Sequence, residues 1–380
     1  MYKKPFHIKK VFKSRIRSDK CIWQIFALLG INFTNHHYRS RTKCCRKILM
    51  TTFGVSIIYA ILVHIGEMLA KRYMEGVAYI LVPISSVLMW YFMYANREDI
   101  SGVLLEIYCY RRKYESFKKT GYYIKPLITI ILLSPYIITI LGQVIVDFES
   151  ENLDIWSWGI KVHSVIWKRI IVFIGNIAYF VFFIAFPLYL TFSLNMLFYR
   201  CSEVLSSYNV VLQSQLQLKV EKGVVLLKEF FDLMKTVKRL NETVMNHSFL
   251  IIFYGLEGLF SILLTLSLDD FVKGTMNYII VVIYHVTCST VMIVSYIFCS
   301  SMIPLNLMRI KNNVREFINK FGYDQFSNEE YMFYLQRIES EEIVYMSACE
   351  LFHLRRSLLL TALGTVLTYG LLIIGFRFED

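Results

Sequence analysis

Charge is scarce in this chain. Asp, Glu, Lys and Arg make up 18% of its 380 residues, against 56% hydrophobic. An ordinary soluble protein of this size carries far more polar surface, so that class is excluded and several membrane spans are expected. The mean hydropathy of +0.48 agrees. Clustered chemistry is missing as well. The eight histidines are scattered, with only His36 and His37 adjacent. No metal-ligand spacing and no Gly-rich phosphate loop occurs, so neither an enzyme nor a bound cofactor or metal is expected. The basic N-terminus has no apolar core and no small-residue cleavage site, which excludes a cleaved signal peptide. Solenoid periods and low-complexity tracts are absent too.

What is present is a series of apolar runs. Those long enough to cross a bilayer fall at about 48–70, 76–95, 122–146, 170–197, 248–268, 277–302 and 357–376. The run Cys21–Phe33 has thirteen residues and is too short to span. Prolines 83, 126, 135 and 187 lie inside spans, where neighbouring helices can serve the freed carbonyls, and Pro304 is expected to stop span 6. Between spans 4 and 5 lies a polar stretch, 198–247, with a single glycine and no proline. In it Leu226, Phe230, Met234, Val237 and Leu240 repeat at helical spacing, so helices are expected to project from both spans and pack on each other. The expected fold is an all-α membrane protein of seven transmembrane helices with long cytoplasmic helical extensions. Its regions are a cytoplasmic N-terminal segment (1–47), spans 1–6 with their helical loop (48–302), a cytoplasmic helical segment (303–355), and span 7 with a short tail (356–380).

Loop charge sets the orientation. With the N-terminus inside, inner segments hold 33 of the 41 Lys and Arg, divided 13, 6, 7 and 7 along the chain. Outer segments hold 7, and Lys125 lies within span 3. The N-terminus is therefore cytoplasmic and the C-terminus extracellular, the reverse of a G-protein-coupled receptor. All eight cysteines fall on the inner side or in span 6, so none occupies an outer loop where a disulfide would form. The net charge of +12 sits between spans, as topology places it, and does not call for nucleic acid.

Span 7 reads SLLLTALGTVLTYGLLIIGF. Ser357, Thr361, Thr365 and Thr368 recur at spacings of four, four and three and share one helix face, which Leu372 and Phe376 continue. Such a stripe is either a seam against a neighbouring helix or the lining of an ion path closed by an apolar plug. On the pattern alone the seam is the commoner use.

The same stretch carries a resemblance. Thr368-Tyr369, then GLLII, then Gly375-Phe376, preceded by Leu358-Leu359-Leu360 and Gly364, resembles the final-span signature of the insect gustatory receptor family, within the insect chemoreceptor superfamily. The approach to span 5, KRLNETVMNHSF, is similar to that family's Leu-Asn segment. One departure is that Gly375 stands where the family has Gln. Gly370 after Tyr369, in place of an acidic residue, argues against a sugar receptor and leaves bitter compounds among the options. The resemblance implies a multi-pass plasma-membrane protein of chemosensory neurons, a tastant-gated non-selective cation channel. It implies a homo- or heterotetramer with other gustatory receptors, in which span 7 lines the pore and Phe376 belongs to the outer constriction. Under that reading Ser357, Thr361, Thr365, Thr368, Leu372, Gly375 and Phe376 face the permeating cations.

A pocket for the small-molecule tastant would use polar and aromatic groups of the spans. Candidates are His64, Tyr136, Gln143, Asn176, Tyr179, Glu257, Tyr284 and His285. A lone polar residue in a span more often makes an interhelical hydrogen bond. Glu257 is the most pointed, since a carboxyl near mid-span must be paired, protonated or wet. The competing function is a seven-span receptor signalling through G proteins, but VDFES follows span 3 where an Asp-Arg-Tyr-like cluster belongs, and span 7 has no proline. A transporter is disfavoured by the lack of inverted repeats.

Overall fold

The computed structural model describes residues 73–114, 164–216, 220–267, 276–321 and 329–377, with isolated positions 58, 59, 62 and 65. Within them the chain forms α1 (Tyr73–Ala95), α2 (Arg97–Tyr114), α3 (Val165–Tyr179), a π-helical segment (Phe180–Ala185), α4 (Phe186–Leu216), α5 (Val220–Ser267), α6 (Met276–Phe321), α7 (Glu329–Ser340), β1 (Ser347–Ala348), β2 (Phe352–His353) and α8 (Ser357–Arg377). Predicted spans 1 and 3 lie outside the described residues, except for those isolated positions of span 1.

The mostly helical expectation is met, and the long polar loop becomes the core of a helical stem. α4 runs on from span 4 to Leu216, and α5 is one helix of 48 residues joining the loop to span 5. Leu226, Phe230, Met234, Val237 and Leu240 are all buried, together with Leu227, Leu233 and Val244. Against them pack Leu205, Tyr208 and Leu212 of α4 and Ile310, Val314 and Ile318 of α6. Polar residues tie the same helices. Asn306 donates to the Ser202 carbonyl and hydroxyl at 3.1 and 2.7 Å, and Asn195 donates to Ser295 at 2.9 Å. Arg239 of α5 clamps α2 through Glu106 (2.9 Å) and Asp99 (3.1 Å). These ions are largely exposed, so they fix orientation more than they stabilise.

Pro304, expected to stop span 6, does not end the helix: α6 continues through it to Phe321. A proline interrupts one rung of the backbone ladder, but Ile303, Leu307, Ile310 and Val314 are almost wholly buried on either side of it. That burial, at about 1.5–3 kcal/mol per side chain, outweighs a cost of about 3 kcal/mol. Pro187 is accommodated differently. It follows the π-helical segment and cannot donate to the Phe183 carbonyl four residues back. The Tyr254 hydroxyl of α5 reaches across and donates to that carbonyl instead.

Glycine sets the closest helix approach. A β-carbon at Gly255 would lie 2.5 Å from Ile293, and one at Gly258 would lie 2.3 Å from the Ser289 hydroxyl. α5 and α6 therefore touch backbone to side chain here, as small residues allow between closely packed helices. Between α7 and α8, in a stretch whose sequence pattern is mostly helical, the chain forms a small antiparallel hairpin, Ser347 opposite His353 and Ala348 opposite Phe352.

Candidate functional site

α8 has a packed side and an open side. It lies mainly along α5, with a smaller contact to α6. Leu358, Leu359, Ala362, Thr365 and Val366 are half-buried on the packed side and Gly370 is buried there. Phe260 of α5 meets the Tyr369 ring edge-on at 6.1 Å. At about 100° per residue the open side spans half the helix. It divides into a flank of Ser357, Thr361, Thr368 and Leu372 and a flank of Leu360, Leu363 and Leu367, with Gly364 between them. Among the described residues of the predicted stripe, only Thr365 turns toward the bundle. Gly375 and Phe376 belong to α8, and their side-chain surroundings lie outside the described residues.

The threonines are hydrogen-bonded in one sense. Thr361, Thr365 and Thr368 each donate to the carbonyl four residues back, at 3.4, 2.9 and 2.8 Å. Their protons are thereby turned into the helix. The lone pairs of Thr361 and Thr368 face the open side, presenting acceptors and hence a surface that suits cations over anions.

Glu257 is a buried carboxyl of the bundle, only 8% exposed. Ser85 of α1 donates to its Oε2 at 3.3 Å, while Oε1 has no hydrogen-bond partner. The neighbouring Ser86 hydroxyl is also buried without one. The next residue, Gly258, abuts Ser289 of α6, which lies one turn after His285. Tyr284 and His285 are half-buried on α6. Asn176 and Tyr179 belong to α3, with side chains outside the described set; His64, Tyr136 and Gln143 lie outside it altogether. The sequence reading missed Ser85, Ser86 and Tyr254, because single hydroxyls in apolar helices carry no local signal.

At the stem end of the bundle, His247 is fully buried against the edge of Phe92, 6.4 Å between ring centres. Neither ring nitrogen makes a hydrogen bond of good geometry. Burial pushes it down from 6.5 to about 4, partly offset by the Thr243 carbonyl. The unfolded chain therefore takes up a proton before the folded one does. Its contribution is complete above pH 6.5 and is lost as pH falls toward 4, up to about 3 kcal/mol. His247→Phe is expected to flatten this part of the pH dependence, read as the melting temperature of detergent-solubilised protein. An unchanged acid slope would count against it.

Among the described residues, one helix is long and apolar enough to cross a membrane by length and composition, Ile283–Lys320, with shorter apolar helical stretches at Leu81–Ala95 and Ser357–Gly370. No family model matches the sequence. No curated protein matches it either. Solved structures do. The insect olfactory receptor OR5 from Machilis hrabei superposes with a TM-score of 0.68 over 97% of this chain and 98% of that one, at 11% identity. The same receptor in complex with eugenol gives 0.67 over 95% and 99%, at 10% identity. The chain thus shares the all-α fold of an insect olfactory receptor along nearly its whole length.

Proposed function

We propose that this protein is a subunit of a small-molecule-gated cation channel of the insect chemoreceptor superfamily, on its gustatory branch. The observation that carries the reading is α8: an apolar helix packed on one side and open on the other, with outward-facing acceptors on one flank of the open half. In a tetramer the hydroxyl flank lines the conduction path and the leucine flank meets the adjoining subunit or lipid. The likeness in fold to an olfactory receptor supports this, and the Thr368-Tyr369 … Phe376 signature supports the gustatory branch. Seven spans, an inner N-terminus and an outer C-terminus belong to the same reading, supported by the apolar runs and the charge count, as does residence in the plasma membrane of chemosensory neurons, which the resemblance implies.

The ligand is a small organic molecule held within the spans, and Glu257, Tyr284 and His285 are the described candidates nearest that role. That a relative in fold binds eugenol makes eugenol the first compound to try, followed by a panel of bitter plant compounds. The test is a whole-cell recording from cells with verified surface protein and G-protein signalling blocked. A cation current evoked by any of these compounds supports the channel. Robust surface expression with no conductance, spontaneous or evoked, would overturn it.

A further inference from the structure

The pore helix does not join the stem directly. The segment before it, Ser347–His353, is a hairpin seated on α5, and the contacts converge on one short stretch of that helix. Asn241 Oδ1 accepts from the Ser347 backbone amide at 2.7 Å and from its hydroxyl at 3.3 Å. The Met245 carbonyl accepts from the Cys349 amide at 3.2 Å. The Cys349 thiol lies 3.3 Å from Asn246 Oδ1, as a weak donor. Apolar anchorage comes from Met346, Ala348 and Leu354, all three completely buried.

The turn is held in a costly conformation. Cys349 and Glu350 both have positive φ, 49° and 59°, with the Leu351 amide closing the turn on the Ala348 carbonyl at 3.0 Å. Neither is a glycine, and left-handed backbone at such residues persists only where surrounding contacts over-determine it. Beyond the hairpin, Arg355 lies over the Tyr345 ring at 4.1 Å and Arg356 over the Phe298 ring of α6 at 4.9 Å. Arg356 also reaches the Ser301 hydroxyl at 3.4 Å. Ser357 then begins α8.

α5 is continuous from this seat past Tyr254 and Glu257 to Phe260, which touches Tyr369 of α8. The pore helix is therefore held by α5 at two levels, through Phe260 within the span and through the hairpin at its base. We infer that the 347–353 hairpin is the coupling element between α5 and the pore helix, and that Asn241 is the positioning residue that seats it. A shift of α5 when ligand binds moves the hairpin's anchor and, through the short Leu354–Arg356 link, the start of α8. This inference rests on the channel reading of α8.

The test compares Asn241→Ala, which removes the acceptor, with Asn241→Asp, which keeps it. Both are recorded in the full-length protein at measured surface density, using spontaneous openings and those evoked by eugenol or the first active compound of the panel. Asn241→Ala is expected to change open probability about tenfold, the factor one to two hydrogen bonds carry, with unitary conductance and surface density unchanged. Asn241→Asp is expected to restore wild-type gating. Wild-type gating in Asn241→Ala would overturn the inference and leave the channel intact, as would a loss of surface protein in both variants without any change in gating. A wild-type protein that reaches the surface and never conducts would overturn the channel reading instead, and the coupling role with it.

Discussion

Thr368→Lys is expected to abolish cation conductance while leaving protein at the cell surface. Thr368 lies on the exposed hydroxyl flank of α8, and its hydroxyl proton is turned back to the Gly364 carbonyl. An ammonium there replaces an acceptor with a positive charge. At roughly 5 Å from a passing cation and an effective dielectric of about 20, one such charge opposes entry by about 3 kcal/mol. That is a fall on the order of a hundredfold from a single lysine, and the four copies of the proposed tetramer would multiply it. Thr368→Ser keeps the acceptor and should conduct almost normally. Single-channel recording with surface biotinylation checks both; full conductance in the lysine variant would show that this flank does not face the ions.

The second large effect is on folding. Gly255→Ala is expected to destabilise the subunit by about 1–3 kcal/mol, the usual cost of overpacking. Its new β-carbon would sit 2.5 Å from Ile293, which is buried and stiff about its first side-chain torsion. Ile293→Ala should relieve the clash, so the double variant should melt closer to wild type than the sum of the two singles. Additive losses would contradict the close approach of α5 and α6. Gly364→Ala is the internal control for the isolated subunit, since nothing lies within 4 Å of its added carbon. Gly258 is more forgiving than Gly255, because the Ser289 hydroxyl it would meet can rotate away.

What the sequence made legible follows from periodicity and charge. The stripe from Leu226 to Leu240 is buried as its spacing predicted, because a long helix with one apolar face has only one way to hide it. Glu257 stood out because a carboxyl inside an apolar run is costly. Its partner Ser85 did not, since the two are 172 residues apart and only the fold joins them. Pro304 misled because a local helix-breaking rule was outweighed by burial of Ile303 and Leu307 on either side. The hairpin was invisible for a related reason. Its strands are two residues long, too short for alternation to register, and its turn carries Cys349 and Glu350 where glycine or asparagine would have announced a left-handed bend. Asn241 belongs to the Leu-Asn segment, and its contact with Ser347 gives that segment a structural task.

Cysteine accessibility tests most directly whether the hydroxyl flank of α8, and not its leucine flank, faces the conduction path. Single cysteines at Thr361, Thr368 and Leu372 are compared with single cysteines at Leu360, Leu363 and Leu367, each exposed to a small cationic thiol reagent during recording, with the unsubstituted channel as control for native cysteines. Rapid block is predicted at the first three positions and little or none at the second three. Block confined to the leucine positions, or absent from all six in a conducting channel, would contradict a pore lined by the hydroxyl flank.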